Sequence, residues 1–362
     1  MRRGLISWSR GEVPPSVLES RVTRLQGEMR AAELGAVLVY TSFARPSAVA
    51  WLTHFVPYWN EALLVVFPTG APVLLAAFSK RMLDWIRSVS HLGEVRSAPD
   101  LGRAAAAFLR ERPPEPSRIG VLELDALPWT VAEPIVQARF GSELIDATSL
   151  FASIRQPADE AEIGLARRAA KIAAQALVAI PARAQRASEV LSALEASARL
   201  DGAEEVLPRL APDLRADATL RRFEGDAPLG ERYGVELSVA YKATWVRVAR
   251  CFSNNGLPRS WRRAAEWSAQ AASRLNETNF SLEPLAPGAP PPGKLTSWTI
   301  ETCLGSSPLC VAASREAPTR SVVLPAGSLA SVSMQLSLDD GPWLRGEPLV
   351  LGGAGQPSRL IA

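Results

Sequence analysis

The sequence predicts a two-domain chain, an α/β domain followed by an α+β domain. Three observations carry this expectation. The 362 residues exceed what one hydrophobic core usually spans. Up to Asp146, helical segments alternate with short apolar ones. From Gly202 onward, strand-like segments dominate, interrupted by a single helix.

In the first domain, Val17, Leu18, Val22, Leu25 and Met29 recur at helical spacing, which predicts a helix over 16–34. Residues 36–40 (AVLVY) form an apolar run suited to a buried strand, and 46–55 a short helix. Residues 61–67 and 71–77 flank Pro68-Thr69-Gly70, which predicts a hairpin. Amphipathic helices follow at 81–89 and 101–112, then strands at 119–124 and 144–146 around a helix at 131–140. At the junction, Pro157 is expected to stop an extended segment, and Ala158 or Asp159 to open a long helix that ends ahead of Pro181. The domains are therefore placed at 1–155 and 156–362. In the second, a helix at 188–200 is expected to be capped by Ser188, and another spans 258–275. The proline-rich stretch 284–293 reads as a stiff surface loop, and the last strands as 328–334, 335–338 and 348–351.

Composition excludes several function classes. A hydrophobic content of 47%, a charged content of 21% and a net charge of +3 describe an ordinary globular protein. Basic residues are spread along the chain, which argues against a nucleic-acid partner. No apolar run is long enough for a signal peptide or a membrane span, so a cytoplasmic protein with no membrane partner is expected. Cys251, Cys303 and Cys310 lack zinc-site spacing and read as free thiols in a reducing compartment.

The second domain is organised around residues 230–252, GERYGVELSVAYKATWVRVARCF. Val235, Leu237 and Val239 alternate on one strand, and Val246 and Val248 on the next. Glu236 and Arg247 are the polar residues expected to point inward. Two roles stay open for them. They form a buried ion pair that holds the pocket together, or Arg247 anchors a carboxylate or phosphate through its planar fork while Glu236 acts as an acid/base.

The order of these elements, the Pro-Ala-Asp-Glu-Ala-Glu-Ile junction and the V-E-L-S-x-A-Y-x(8)-R-x-F pattern resemble the creatinase, prolidase and aminopeptidase P family. The resemblance extends to Ala50-Trp51-Leu52-Thr53-His54-Phe55 in the first domain. It implies a creatinase-type N-terminal α/β domain, a C-terminal pita-bread domain, and a homodimer or a heterodimer with a related subunit. The family's metallopeptidases hold two divalent ions with aspartates, histidine and glutamates, a set suited to hard or borderline cations. Laid on this sequence, the first aspartate falls on Glu236 and the second on Arg247. The histidine falls on Gly305, the first glutamate near Ser333, and the last at Gly346 or Glu347. A fixed positive charge about 4 Å from a cation costs roughly 4 kcal/mol per unit charge at a surface-like dielectric, and a divalent ion doubles that. No metal and no other cofactor is therefore expected.

Creatinase, the family's metal-free branch, uses a histidine that would fall within 215–222, where Asp217 and Thr219 stand. The expected catalytic set is Glu236, Asp217 and His54, the last acting as a base in trans across a dimer. The expected substrate-binding set is Arg247, Tyr241, Trp245, Glu301 and Trp59. Arg250 is assigned a structural role, and Trp51, Trp59 and Trp85 are candidate exposed contacts for a partner. The ligand is expected to be a small anionic or amide-containing metabolite or a short peptide. A pseudoenzyme subunit and a metal-independent C–N bond hydrolase are the alternatives.

Overall fold

The computed structural model describes residues 7–57, 59–138, 143–278, 280–282, 290–302, 309–318 and 324–361. The chain divides into two compact units, one comprising Met1–Arg155 and the other Gln156–Cys303 with Leu309–Ala362.

The first unit runs α1 (Pro15–Ala31), β1 (Ala36–Thr41), α2 (Ser47–Thr53), β2 (Ala62–Val66), β3 (Val73–Ala76), α3 (Leu83–Val89), β4 (Glu94–Ser97), α4 (Leu101–Glu111), β5 (Ile119–Val121), α5 (Trp129–Gln137), β6 (Leu144–Asp146) and α6 (Thr148–Ile154). Its sheet has the order β4-β3-β2-β1-β5-β6. β1 lies inside, antiparallel to β2 and parallel to β5. It reads as an unbroken apolar run because both its faces are covered. Val37 and Val39 pack in a core with Leu25, Met29, Trp51 and Phe151 of α1, α2 and α6. Ala36 and Leu38 pack in another with Leu101, Phe108 and Ile135 of α4 and α5. Gly35 leads into β1 where only glycine fits, since an added Cβ would stand 1.9 Å from the Pro116 carbonyl oxygen.

Two expectations change in this unit. The segment before Pro157 is the helix α6 rather than extended chain, because Phe151 and Ile154 need one helical face to reach the core. Trp51 is buried rather than an exposed contact. Every residue of α2 is buried, Trp51 meets Phe151 edge-on at 5.5 Å, and the Arg21 guanidinium lies 4.8 Å from its ring centre. Strand β4 was not expected from the sequence. It is four residues long with one buried side chain, too little for an apolar pattern.

The second unit runs α7 (Glu160–Val178), α8 (Ala187–Leu200), β7 (Glu205–Ala211), β8 (Arg232–Tyr241), β9 (Thr244–Ser253), α9 (Arg259–Ser273), β10 (Lys294–Thr302), β11 (Cys310–Ser314), β12 (Leu329–Leu338), β13 (Gly341–Val350) and β14 (Arg359–Leu360). Asp159 caps α7, accepting from the Glu162 amide at 2.8 Å. Ser188 is not the cap of α8. The helix already includes Ala187, and the Ser188 amide donates to the Asp226 carboxylate at 3.0 Å, so an acid from a distant loop takes the capping role. The strands expected at 328–334 and 335–338 are one strand, β12, whose ladder with β13 is continuous from Leu329 to Leu338. Most of the proline-rich stretch lies outside the described residues.

The strands β11-β10-β12-β13-β9-β8-β7 form one sheet, with β14 added beside β13. Helices α7 and α8 cover one face, where Val235, Leu237, Val239 and Val248 join Ile172, Ala176, Val190 and Leu194 in a core. Alternation then sends Glu236, Ser238, Arg247 and Ala249 to the other face.

β8 and β9 are joined by Lys242-Ala243, both with left-handed φ, 48° and 60°. That is the two-residue turn whose twist matches paired strands, built here without glycine. Left-handed backbone costs a non-glycine residue roughly 1–2 kcal/mol. Ala243→Gly is expected to raise stability by about 1 kcal/mol, read as a higher urea midpoint at an unchanged m-value.

Candidate functional site

The site is built by strand register. Across the sheet, Arg209, Glu236, Ala249, Gly346, Ser333 and Thr299 stand side by side on β7, β8, β9, β13, β12 and β10. Two residues further along lies a second row on the same face, with Ser238 opposite Arg247 and Ser331 opposite Glu301. From these rows Arg209, Glu236, Ala249, Ser333, Thr299, Arg247 and Glu301 line a cavity of about 230 Å³, with Gln335, Ser297 and Arg345 at its margin.

The join between β9 and β13 shapes this cavity. The two strands are in register at one pair, Gly346 and Ala249. A Cβ on Gly346 would come within 2.9 Å of the Ala249 amide nitrogen and 3.1 Å of Ser333 Oγ, so the close approach requires glycine. On one side of this pair the Pro348 carbonyl accepts from the Ile361 amide at 2.9 Å, and the Arg247 amide donates to Ser331 Oγ at 3.3 Å. On the other side the Leu344 amide donates to Cys251 Sγ at 3.1 Å. The ladder therefore opens on both sides of one tight contact.

Charge fills the opening. The Arg247 guanidinium donates to Ser238 Oγ at 3.0 Å and to the Glu301 carboxylate, and its Nε lies 3.5 Å from Glu236 Oε1. Arg209 Nη1 reaches the same Glu236 oxygen from the exposed side at 3.3 Å. Glu236 and Glu301 are 6% and 8% exposed, so two carboxylates are buried around one guanidinium. Burial pushes the Glu236 carboxyl above its ordinary 4.5, and the charges of Arg247 and Arg209 only partly offset it. Ser333 Oγ is buried without a hydrogen-bond partner among the described residues.

Glu347 lies outside these rows. Its oxygen Oε1 accepts from Arg345 at 2.6 Å and Arg250 at 2.8 Å, and Arg250 also donates to the Ala249 and Gly346 carbonyls. The structural role expected of Arg250 is thus a clamp across the β9–β13 join. Among the described residues, no group of three or more His, Cys, Asp or Glu is placed to hold a metal ion. Gly305 and Cys303 lie outside the described residues.

The remaining expected residues are distributed as follows. Trp245 lies beside Glu301, Glu162 and Thr244 around a smaller pocket of about 20 Å³. Tyr241 is a correction. As an odd-numbered residue of β8 it shares the face of Val235–Val239 and packs on the helix side, 5.9 Å from the Arg168 guanidinium. Asp217 is exposed and does not line the cavity. Its carboxyl is held below the ordinary range by hydrogen bonds from Thr219, first, and by Arg221, whose Nη2 is 2.7 Å away. Its neighbour Leu220 lines the cavity, and the Ala218 carbonyl accepts from Gln335 at 3.3 Å, so this loop borders the mouth. His54 and Trp59 belong to the first unit. His54 ends α2 with a left-handed φ of 65°, is buried, and has Nδ1 3.2 Å from the Val89 carbonyl. Trp59 is 57% exposed against Phe78.

Arg209 and Ser238 were missed. Nothing in β7 or β8 alone marks them, because their relevance is set by pairing with residues 27 and 9 positions away. Removing Arg247 would leave two buried carboxylates without their shared cation. Arg247→Met alone is expected to cost about 3–5 kcal/mol. Combining it with Glu236→Gln and Glu301→Gln should recover most of that loss in denaturant unfolding.

Residues 21–156 match the Creatinase/Prolidase N-terminal domain family model. No curated protein matches the sequence. Among solved structures, the Xaa-Pro dipeptidase from Bacillus anthracis aligns over 95% of this chain and 97% of its own, with a TM-score of 0.72 at 15% identity. The prolidase from Pyrococcus horikoshii OT3 aligns over 94% and 97%, with a TM-score of 0.70 at 13% identity. The X-Pro aminopeptidase from Thermotoga maritima MSB8 gives 0.71 over the same shares, also at 13% identity. Residues 21–156 are thus a creatinase/prolidase N-terminal domain, and the chain as a whole has the two-domain creatinase–prolidase fold with its pita-bread second domain.

Proposed function

We propose that this protein uses the pita-bread fold without a metal pair, and that its second-domain cavity binds a small anionic or amide-containing metabolite or a short peptide, with Arg247 as the anchor. The observation that carries this reading is the position of Arg247. It stands on the same face as Glu236 and ties up Glu301, so a cation there would meet a fixed positive charge and two carboxylates already engaged. Ser333 and Gly346, in the row where the resemblance puts glutamate ligands, offer one hydroxyl and no side chain. These donors do not fit a dinuclear centre.

They suit an anion better. Arg209 and Arg247 face Glu236 and Glu301 around the cavity, and Arg345, paired with Glu347, stands at its margin. Arg247 Nη2 makes no hydrogen bond to the described residues, which leaves a guanidinium donor for a carboxylate oxygen. Ser333 Oγ and Gln335 add neutral groups able to bond an amide. A second reading, a metal-independent C–N bond hydrolase, draws on Glu236. A buried carboxyl with a raised pKa is placed to hand a proton to a leaving nitrogen.

Elemental analysis of the purified full chain tests the first part. Mn, Co or Zn bound in the second domain at one or more equivalents would overturn it. The second part has a pH signature. Protonating Glu236 raises the cavity's net charge by one, so an anion binds more tightly with the proton on. Affinity for N-acetylglycine in calorimetry is expected to fall as pH rises through the Glu236 titration, above 4.5. Glu236→Gln should abolish that dependence, and Arg247→Lys should weaken binding at least tenfold.

A further inference from the structure

A second cavity, of about 300 Å³, lies in the second unit between α9, β9 and β13. Its origin is the opened ladder beyond the Gly346–Ala249 pair, where Cys251 Sγ stands in for a backbone partner of Leu344. Burial pushes the Cys251 thiol up to about 12, so it acts as a spacer and not as a nucleophile. Trp261 of α9 and Trp343 of β13, each 4% exposed, form the walls, and Leu257, 76% exposed, stands at the rim.

The polar groups of this cavity are asymmetric. Arg250, Arg262 and Arg345 line it, and the carboxylate paired with two of them is Glu347. Three guanidinium groups against one carboxylate leave two positive charges in excess. Arg262 is exposed and makes no hydrogen bond or ion pair with the described residues. The indole N–H of Trp261 is buried and has no hydrogen-bond partner among the described residues, which is costly unless something else satisfies it. An apolar body with a single anionic head suits the excess positive charge, the unpaired Arg262 guanidinium and the apolar walls. The body fills the space between the indoles, and the head meets Arg262 and Arg345.

We infer that the α9–β9–β13 cavity is a second ligand site, taking a carboxylate with an apolar body, such as a medium-chain aliphatic acid. It is distinct from the Arg247 cavity, and Leu344 and Arg345 border both.

The test is calorimetric titration of the full chain with octanoate, with octanamide as the neutral control. Octanoate is expected to bind one site, and octanamide at least tenfold more weakly. Ala265→Phe, which fills the cavity from α9, should abolish binding, and Arg262→Ala should weaken it at least tenfold. Arg209→Ala, which alters only the Arg247 cavity, should leave it unchanged. No binding of octanoate, equal binding of octanamide, or loss of binding in Arg209→Ala would each overturn the inference. So would a dimer in sedimentation that Ala265→Phe dissociates, since a second copy would then be what covers the cavity.

Discussion

One guanidinium holds the second domain's polar face together. Glu236 and Glu301 come from strands far apart in the sheet order, β8 and β10, and neither could stay buried and charged alone. Arg247 bridges them, and Ser238 fixes its orientation through Nε. A buried network of this kind contributes little net stability against an apolar replacement, but losing one member strands the others. The face is therefore specified by mutual dependence, and it keeps a charged cavity where a close-packed core would otherwise form.

The strand join beneath it is equally economical. Gly346 and Ala249 approach closely, and everything beside them departs from a regular ladder. The Pro348 carbonyl is taken by Ile361 and Cys251 inserts a thiol, so the Arg247 amide turns to Ser331 Oγ and the Leu344 amide to Cys251 Sγ. Cavities sit at this irregular seam because a sheet can only open where its backbone groups find partners elsewhere. Arg250 closes the seam by donating to the Gly346 and Ala249 carbonyls while it pairs with Glu347. Glu347 is one residue out of step with the polar rows, and that single step separates a structural carboxylate from one that would face the cavity.

Much of the fold was legible in the sequence. The β8–β9 hairpin, with Val235, Leu237 and Val239 on one face and Glu236 and Arg247 on the other, follows from period-two alternation. The long helix opened by Asp159 follows from cap chemistry. Errors fell where the local signal was weak or was overridden from a distance. Asp226 displaced Ser188 as the cap of α8, and Tyr241 follows its strand face and not its place near the turn. Strands β10 and β11 are short or polar on one side and were not distinguished from loop.

By itself, the sequence determined the two-domain order, the hairpin, and the presence of an arginine where the fold's relatives suggest an acid. The first two are statements about neighbours along the chain, carried by periodicity, and the third is what the family resemblance implies. The tertiary structure decided which charges meet. Arg209 beside Glu236, Glu301 beside Arg247, and Gly346 instead of Glu347 in the polar row all depend on register between strands up to about a hundred residues apart. Register is fixed only when the whole sheet assembles, so the site's chemistry is a property of the folded sheet and not of any one of its segments.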